Sequence, residues 1–122
     1  MNEIRTIEPF IRLGERLAEE LLDGTIEPVI RRSEAENPWF SRANVVSAIQ
    51  AICTDMLDGR NLGSWLARYP ATGRPSDETV GIVMAGNIPL VGFFDLLCVL
   101  ICDRRCLIKP SSKDRVLIGH IV

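Results

Sequence analysis

Two short segments concentrate the residues able to do chemistry. In VGIVMAGNIPLVGFFD, residues 80–95, an apolar run ends in Gly86-Asn87 and is broken again by Pro89. In CLIKPSSKD, residues 106–114, a second apolar run ends in Lys109-Pro110 and is followed by Ser111, Ser112 and Lys113. A carboxamide at the end of a strand offers an uncharged NH2 donor, the kind of group that stabilises an oxyanion formed only in a transition state. Two ammonium groups, two hydroxyls and a helix N-terminus together attract phosphate or ribose. Plainer roles stand beside these. An Asn in a strand-to-helix turn is often only a cap or turn former, and a Lys after a strand is usually a solvated charge. Neither a GxGxxG fingerprint nor a phosphate-loop motif is present. On the residues alone the chain is an α/β domain with an anion- or nucleotide-binding edge.

The elements that must position these groups are legible from periodicity. Val80 to Ala85 reads as a short, fully buried parallel strand. Leu90 to Cys102 has helical spacing, with Leu90, Phe93, Phe94, Leu97, Leu100 and Ile101 available for packing. Asp103-Arg104-Arg105 turns the chain into a second strand, Cys106 to Ile108, and Ser111 or Ser112 caps a last helix within Val116 to Val122. Two buried strands joined by a helix predict a parallel crossover. Ligands bind at the C-terminal edge of such sheets.

A helical region precedes them. Ile4, Ile7, Phe10, Ile11, Leu17, Leu21 and Leu22 form an apolar stripe. Pro9 is expected near the start of that helix, and Gly24 is expected to stop it. Residues around Pro28 and Asn37-Pro38 read as a linker with turns. A second helix, capped by Ser41, runs to about Leu57 with Val45, Ala48, Ile49, Ile52, Cys53 and Met56 inward, and Gly59 ends it. A third starts at Asn61 with Leu62, Trp65, Leu66 and Tyr69 on one side, and Pro70 to Thr79 reads as a loop. The division is therefore a helical region, residues 1–79, and the start of an α/β domain, residues 80–122.

Composition narrows the function classes. The 122 residues are 47% hydrophobic and 25% charged with a net charge of −2, so nothing in the whole chain calls for nucleic acid or an anionic membrane. Residues 1–79 hold 9 Arg against 13 Asp and Glu, whereas residues 80–122 hold 5 Lys and Arg against 3 Asp. The mildly basic part is the part with the anion-binding residues. No export signal is visible at the N-terminus, which predicts a reduced, cytoplasmic setting. Cys53, Cys98, Cys102 and Cys106 are expected to be small buried apolar residues, without metal, because no His accompanies them at ligand spacing. Val80 to Cys102 has Asp95 as its sole charge and is long enough to cross a bilayer. Gly86, Asn87 and Pro89 at its middle argue against that, since their backbone groups would be unsatisfied in lipid.

The strings GIVMAGNIPLVGFFD and CLIKPSSKD, together with NPWF at residues 37–40 and Trp65-Leu66 before Tyr69-Pro70, resemble the acyl-CoA (acyl-thioester) reductases of the LuxC type, in the aldehyde dehydrogenase superfamily. The resemblance extends from about residue 7 to the end of the chain. It implies an aldehyde-dehydrogenase-like nucleotide-binding fold, here with only its first β-α-β unit. It also implies reduction of a fatty acyl-CoA or acyl-carrier thioester to an aldehyde through a Cys acyl-enzyme.

In that family the Asn matching Asn87 donates to the oxyanion, and the Lys matching Lys109 contacts the adenosine ribose of the nicotinamide cofactor. Backbone groups of Met84, Ala85 and Gly86 would line the cofactor cleft, with Ser111 on the opposite loop. NAD-preferring relatives often carry Glu where Ser112 stands. Ser112 beside Lys113 leaves room for a 2′-phosphate and neutralises it, so NADPH is expected rather than NADH.

Two residues depart from the family pattern: Phe94 stands where a His is expected, and Asp103-Arg104-Arg105 where a Gly-containing turn is expected. No Cys of this chain matches the family's nucleophile, so the chain reads as an N-terminal segment expected to be inactive by itself. Oligomerisation is expected of the full-length form. A non-catalytic nucleotide- or phosphate-binding module is the rival reading. Two strands also leave a sheet unfinished, which predicts exposed apolar surface along it and a tendency to associate.

Overall fold

A computed structural model describes residues 3–69 and 78–122, the side chains of residues 3–6 excepted. Residues 70–77 of the expected loop, and the Ile4 side chain, lie outside the described residues. The fold is mixed α/β and mostly helical, with one two-stranded parallel sheet. Helix α1 spans Glu3–Asp23, α2 Glu27–Glu36, α3 Arg42–Ala51 and α4 Gly59–Leu66. Strand β1 is Thr79–Val83, α5 Phe93–Ile101, β2 Arg105–Lys109 and α6 Val116–Ile121.

The amphipathic stripe of α1 folds as the spacing requires, with Leu17 buried and Ile7, Phe10, Ile11 and Leu21 packed against the core. Leu22 is an exception and is fully exposed, because it follows Leu21 by about 100° around the helix axis. Pro9 lies inside α1 rather than near its start. Its missing N–H costs one bond of the helix ladder. Gly24 adopts φ 82° and stops the helix, its N–H bonding the Glu20 carbonyl.

The linker expected around Pro28 is instead helix α2. Pro28 occupies its first turn, where a proline costs nothing, and Val29, Ile30 and Ser33 are buried. The Arg42 guanidinium grips the Glu27 carboxylate at 2.7 and 2.9 Å, tying α2 to α3 and holding that carboxyl below its usual range. Ser41 caps α3 by accepting the Asn44 N–H. The helix then continues as one π-turn, Ile52–Met56. Gly59 does not end a helix but begins α4, because Asp58 caps it by accepting the Asn61 N–H at 3.0 Å. Asn61 in turn donates to the Thr54 and Asp55 carbonyls left open by the π-turn.

The 80–102 stretch divides into strand, turn and helix, and no helix among the described residues is long and apolar enough to cross a membrane. The strands pair in parallel, Thr79 with Arg105 through Val83 with Lys109. Helix α5 buries Phe93, Leu96, Leu97 and Ile101. Its C-terminus closes as a Schellman motif: the Arg104 N–H bonds the Val99 carbonyl, the Asp103 N–H bonds the Leu100 carbonyl, and Asp103 takes the left-handed φ of 59°. The charged turn residue thus stands where the backbone favours glycine. Asp103→Gly should raise stability by about 0.5–1 kcal/mol in urea unfolding, by removing the left-handed penalty.

One core runs through both halves of the chain, from Leu17, Ile30, Phe40 and Ile49 to Leu97, Leu117 and Ile118. The expected full burial of the strands is not found. Ile82, Cys106 and Ile108 are half-buried, whereas on the opposite face Val83 is 81% and Leu107 69% exposed. One face of the sheet is therefore open and partly apolar.

Candidate functional site

The C-terminal ends of β1 and β2 lie side by side. Val83 pairs with Lys109, and the Met84 N–H donates to the Lys109 carbonyl at 3.0 Å, extending the ladder by one bond. From this edge two loops emerge: Met84-Ala85-Gly86-Asn87 from β1, and Pro110-Ser111-Ser112-Lys113 from β2. Every sequence-predicted site residue is on one of these loops or at their strand ends.

The loops touch at Gly86. A Cβ at that position would fall 2.3 Å from Ser111 Oγ, 2.8 Å from Ser111 Cβ and 3.0 Å from Lys113 Cβ. Only a glycine permits this approach. Ser111 does not cap the last helix, which begins later, at Val116. Its hydroxyl instead accepts the Lys113 N–H at 3.1 Å and shapes the loop. Ser112 is likewise no cap; it is exposed, as are the residues Asn87, Lys109 and Lys113 around the edge. Met84 is buried and packs on Gly92, where a Cβ would lie 2.6 Å from its Cγ. Ala85 is exposed.

The turn after Asn87 is held in a strained form. The Val91 N–H bonds the Ile88 carbonyl across Pro89 and Leu90, and Leu90 has φ 56°. Pro at the second position and a positive φ at the third are the marks of a type II turn, in which glycine is usual. A leucine there carries a cost of about 1–3 kcal/mol. It is held because the Leu90 side chain is buried and its N–H donates to Asp114 Oδ2 at 2.8 Å.

Asp114, 6% exposed, is a residue that sequence reasoning missed. It sits at the end of the second loop and clamps the turn of the first. Its Oδ1 is buried without a hydrogen-bond partner among the described residues. Burial pushes its carboxyl pKa up, while the amides of Leu90 and Leu117 favour the ionised form. Its place directly after the Ser-Ser-Lys run was the available signal.

A second missed residue is Asn37, the first of the NPWF string. It is buried, its Oδ1 accepts the Trp39 N–H at 3.1 Å, and its Nδ2 donates to the Lys113 carbonyl at 3.3 Å. The helical region therefore braces the loop after β2 directly. Phe94, standing where a His is expected, packs its ring on Trp65 at 5.9 Å between centroids.

The cysteines are not gathered at this edge. Cys53 donates to the Gly14 carbonyl beside α1, and Cys98 and Cys102 are on α5 and its end. Cys106, paired with Val80 toward the opposite end of the strands, is half-buried. Burial raises the thiol pKa of Cys53, Cys98 and Cys106, which disfavours a nucleophilic thiolate. None of the four is buried as expected: Cys53, Cys98 and Cys106 are half-buried, and Cys102, which follows the last buried turn of α5, is exposed.

A separate cleft of about 530 Å³ between α2 and α6 is lined by Arg32, Glu36, Arg115, Val116, Gly119 and His120, none of them a predicted site residue. There His120 Nε2 lies 2.8 Å from Glu20 Oε1, and Arg115 pairs with Glu36, so these polar contacts link α6 to α1 and α2. No family model matches this chain, and the searches of curated proteins and of solved structures likewise found no match.

Proposed function

We propose that this chain supplies the oxyanion donor and the cofactor edge of an NADPH-dependent reductase acting on acyl thioesters. The observation that carries the reading is the contact at Gly86, which sets the Asn87 turn and the Lys109–Lys113 loop side by side on one edge of a parallel sheet. A carboxamide and a cationic, hydroxyl-bearing loop on neighbouring loops suit a thioester carbonyl approached by a nucleotide cofactor.

In this reading the Asn87 amide donates to the tetrahedral oxyanion. Lys109 and Ser112 hold the adenosine ribose, and Lys113 neutralises a 2′-phosphate. NADPH, when bound, supplies the hydride. The acyl-accepting Cys is none of the four present, because those described thiols lie off this edge and burial keeps three of them protonated. The proposed setting is cytoplasmic. That same absence of a local nucleophile favours the second reading, a nucleotide- or phosphate-binding module without catalysis.

Calorimetric titration with NADPH and NADH tests the edge. Lys109→Ala should weaken both cofactors. Ser112→Glu should weaken NADPH by at least about tenfold through like-charge repulsion of the 2′-phosphate, and leave NADH nearly unchanged. Equal losses for both cofactors on Ser112→Glu would remove the NADPH assignment, and no nucleotide binding by the wild-type chain would remove the reading.

A further inference from the structure

We infer that Trp39 is a stacking platform for the purine base of the nucleotide whose ribose and phosphate are held by Lys109, Ser112 and Lys113, an inference that rests on the nucleotide reading of that edge. Trp39 is 86% exposed, an uncommon state for a residue that is ordinarily mostly buried. The exposure does not come from a loose segment. Asn37 on one side is buried and bonded through its N–H to the Ser33 carbonyl and through its carbonyl to the Phe40 N–H, at 2.9 Å each. Phe40 on the other side is fully buried. The Trp39 N–H itself is held by Asn37 Oδ1. The backbone is pinned on both sides of an indole that faces solvent.

The backbone that carries that indole is brought to the second loop by the bond from Asn37 Nδ2 to the Lys113 carbonyl, 3.3 Å long. Two residues of chain span at most about 7 Å, so Trp39 stands beside the loop that carries Ser112 and Lys113. Its neighbours in sequence, Glu34, Glu36, Arg42 and Asn44, are exposed and polar. A single exposed aromatic plane flanked in sequence by these polar residues suits one flat ring of a ligand rather than an extended apolar partner surface. An ammonium for the phosphate and an aromatic face for the base, carried on neighbouring segments, are the two parts from which nucleotide-binding surfaces are commonly assembled.

The experiment uses the intact chain and adenosine 2′,5′-bisphosphate, a probe with base and 2′-phosphate but no nicotinamide. In the Trp65→Phe background Trp39 is the one indole left, and its emission should be quenched as the probe saturates. Trp39→Ala should weaken the probe and NADPH by about fivefold to a hundredfold, Trp39→Phe should retain most of the affinity, and ribose 5-phosphate should bind both variants as it binds the wild type. Wild-type affinity of Trp39→Ala for NADPH would overturn the platform and leave the edge standing. Failure of the wild-type chain to bind the probe or NADPH would overturn both.

Discussion

Asp114→Ala should lower the unfolding free energy by about 3 kcal/mol and release the turn that presents Asn87. The substitution leaves the buried Leu90 N–H without an acceptor, which costs about 1–3 kcal/mol, and removes the bond that holds Leu90 at φ 56°. Hydrogen exchange should report the same event locally, with the Leu90 amide losing protection before the amides of α5. Retained protection at Leu90 would show that side-chain burial alone holds the turn.

Asp114→Asn separates shape from charge. The folded carboxyl has its pKa raised above the ordinary 3.8 by burial. Between the unfolded and the folded pKa the native state therefore binds more protons than the unfolded chain, and stability from this group falls as pH rises through that window. Above the window the ionised carboxylate is a liability of the fold; below it the liability is gone. The wild type should gain stability relative to Asp114→Asn as pH is lowered from 7 toward 4. Parallel pH profiles for the two proteins in urea unfolding would show that Asp114 titrates alike in both states.

Gly86→Ala should cost about 2–3 kcal/mol of stability and abolish the nucleotide binding proposed for this edge, because overpacking two close loops forces backbone to move. The incoming methyl meets Ser111 Oγ at 2.3 Å, an atom that can rotate away, but also Ser111 Cβ at 2.8 Å and Lys113 Cβ at 3.0 Å, which move only with their backbone. The loop carrying Lys109 to Lys113 must therefore shift away from the Asn87 turn. Ser111→Gly in the same chain removes the two shortest contacts and should restore part of both losses, a coupling readable from a double-mutant cycle. Additive losses in that cycle would show that the two loops are not packed against each other at this point. Gly92→Ala is the internal contrast. Its close neighbours are the Cγ, Sδ and Cε atoms of Met84, a flexible side chain that can repack, so its effect should be smaller.

Much of this architecture was written in local pattern. The β-branched run before Gly86, the apolar periodicity of 93–101, the cap at Ser41 and the stop at Gly24 all reflect preferences that act over one or two turns of chain. Where short-range signals competed, pattern failed. Pro28 reads as a turn former, yet a proline suits the first turn of α2 equally well, and only the burial of Val29 and Ile30 against the core selects the helix. Gly59 reads as a stop, yet Asp58 before it makes a start. Strand burial was overestimated because an apolar pentapeptide carries no record of how many layers will cover it.

The sequence by itself determined that two apolar strands end in Gly86-Asn87 and in Lys109-Pro110-Ser111, and so which residues share one sheet edge. That follows from parallel pairing, which brings like ends of the strands together. Only the tertiary structure decided what joins and braces that edge: the close approach of Gly86 to Ser111, the Asp114 bond to Leu90, and the Asn37 bond to the Lys113 carbonyl. The last two bonds span 24 and 76 residues. Each joins a side chain to a backbone group far along the chain, and no periodicity or capping rule encodes such a pairing, because its partner exists only once the core has brought the segments together.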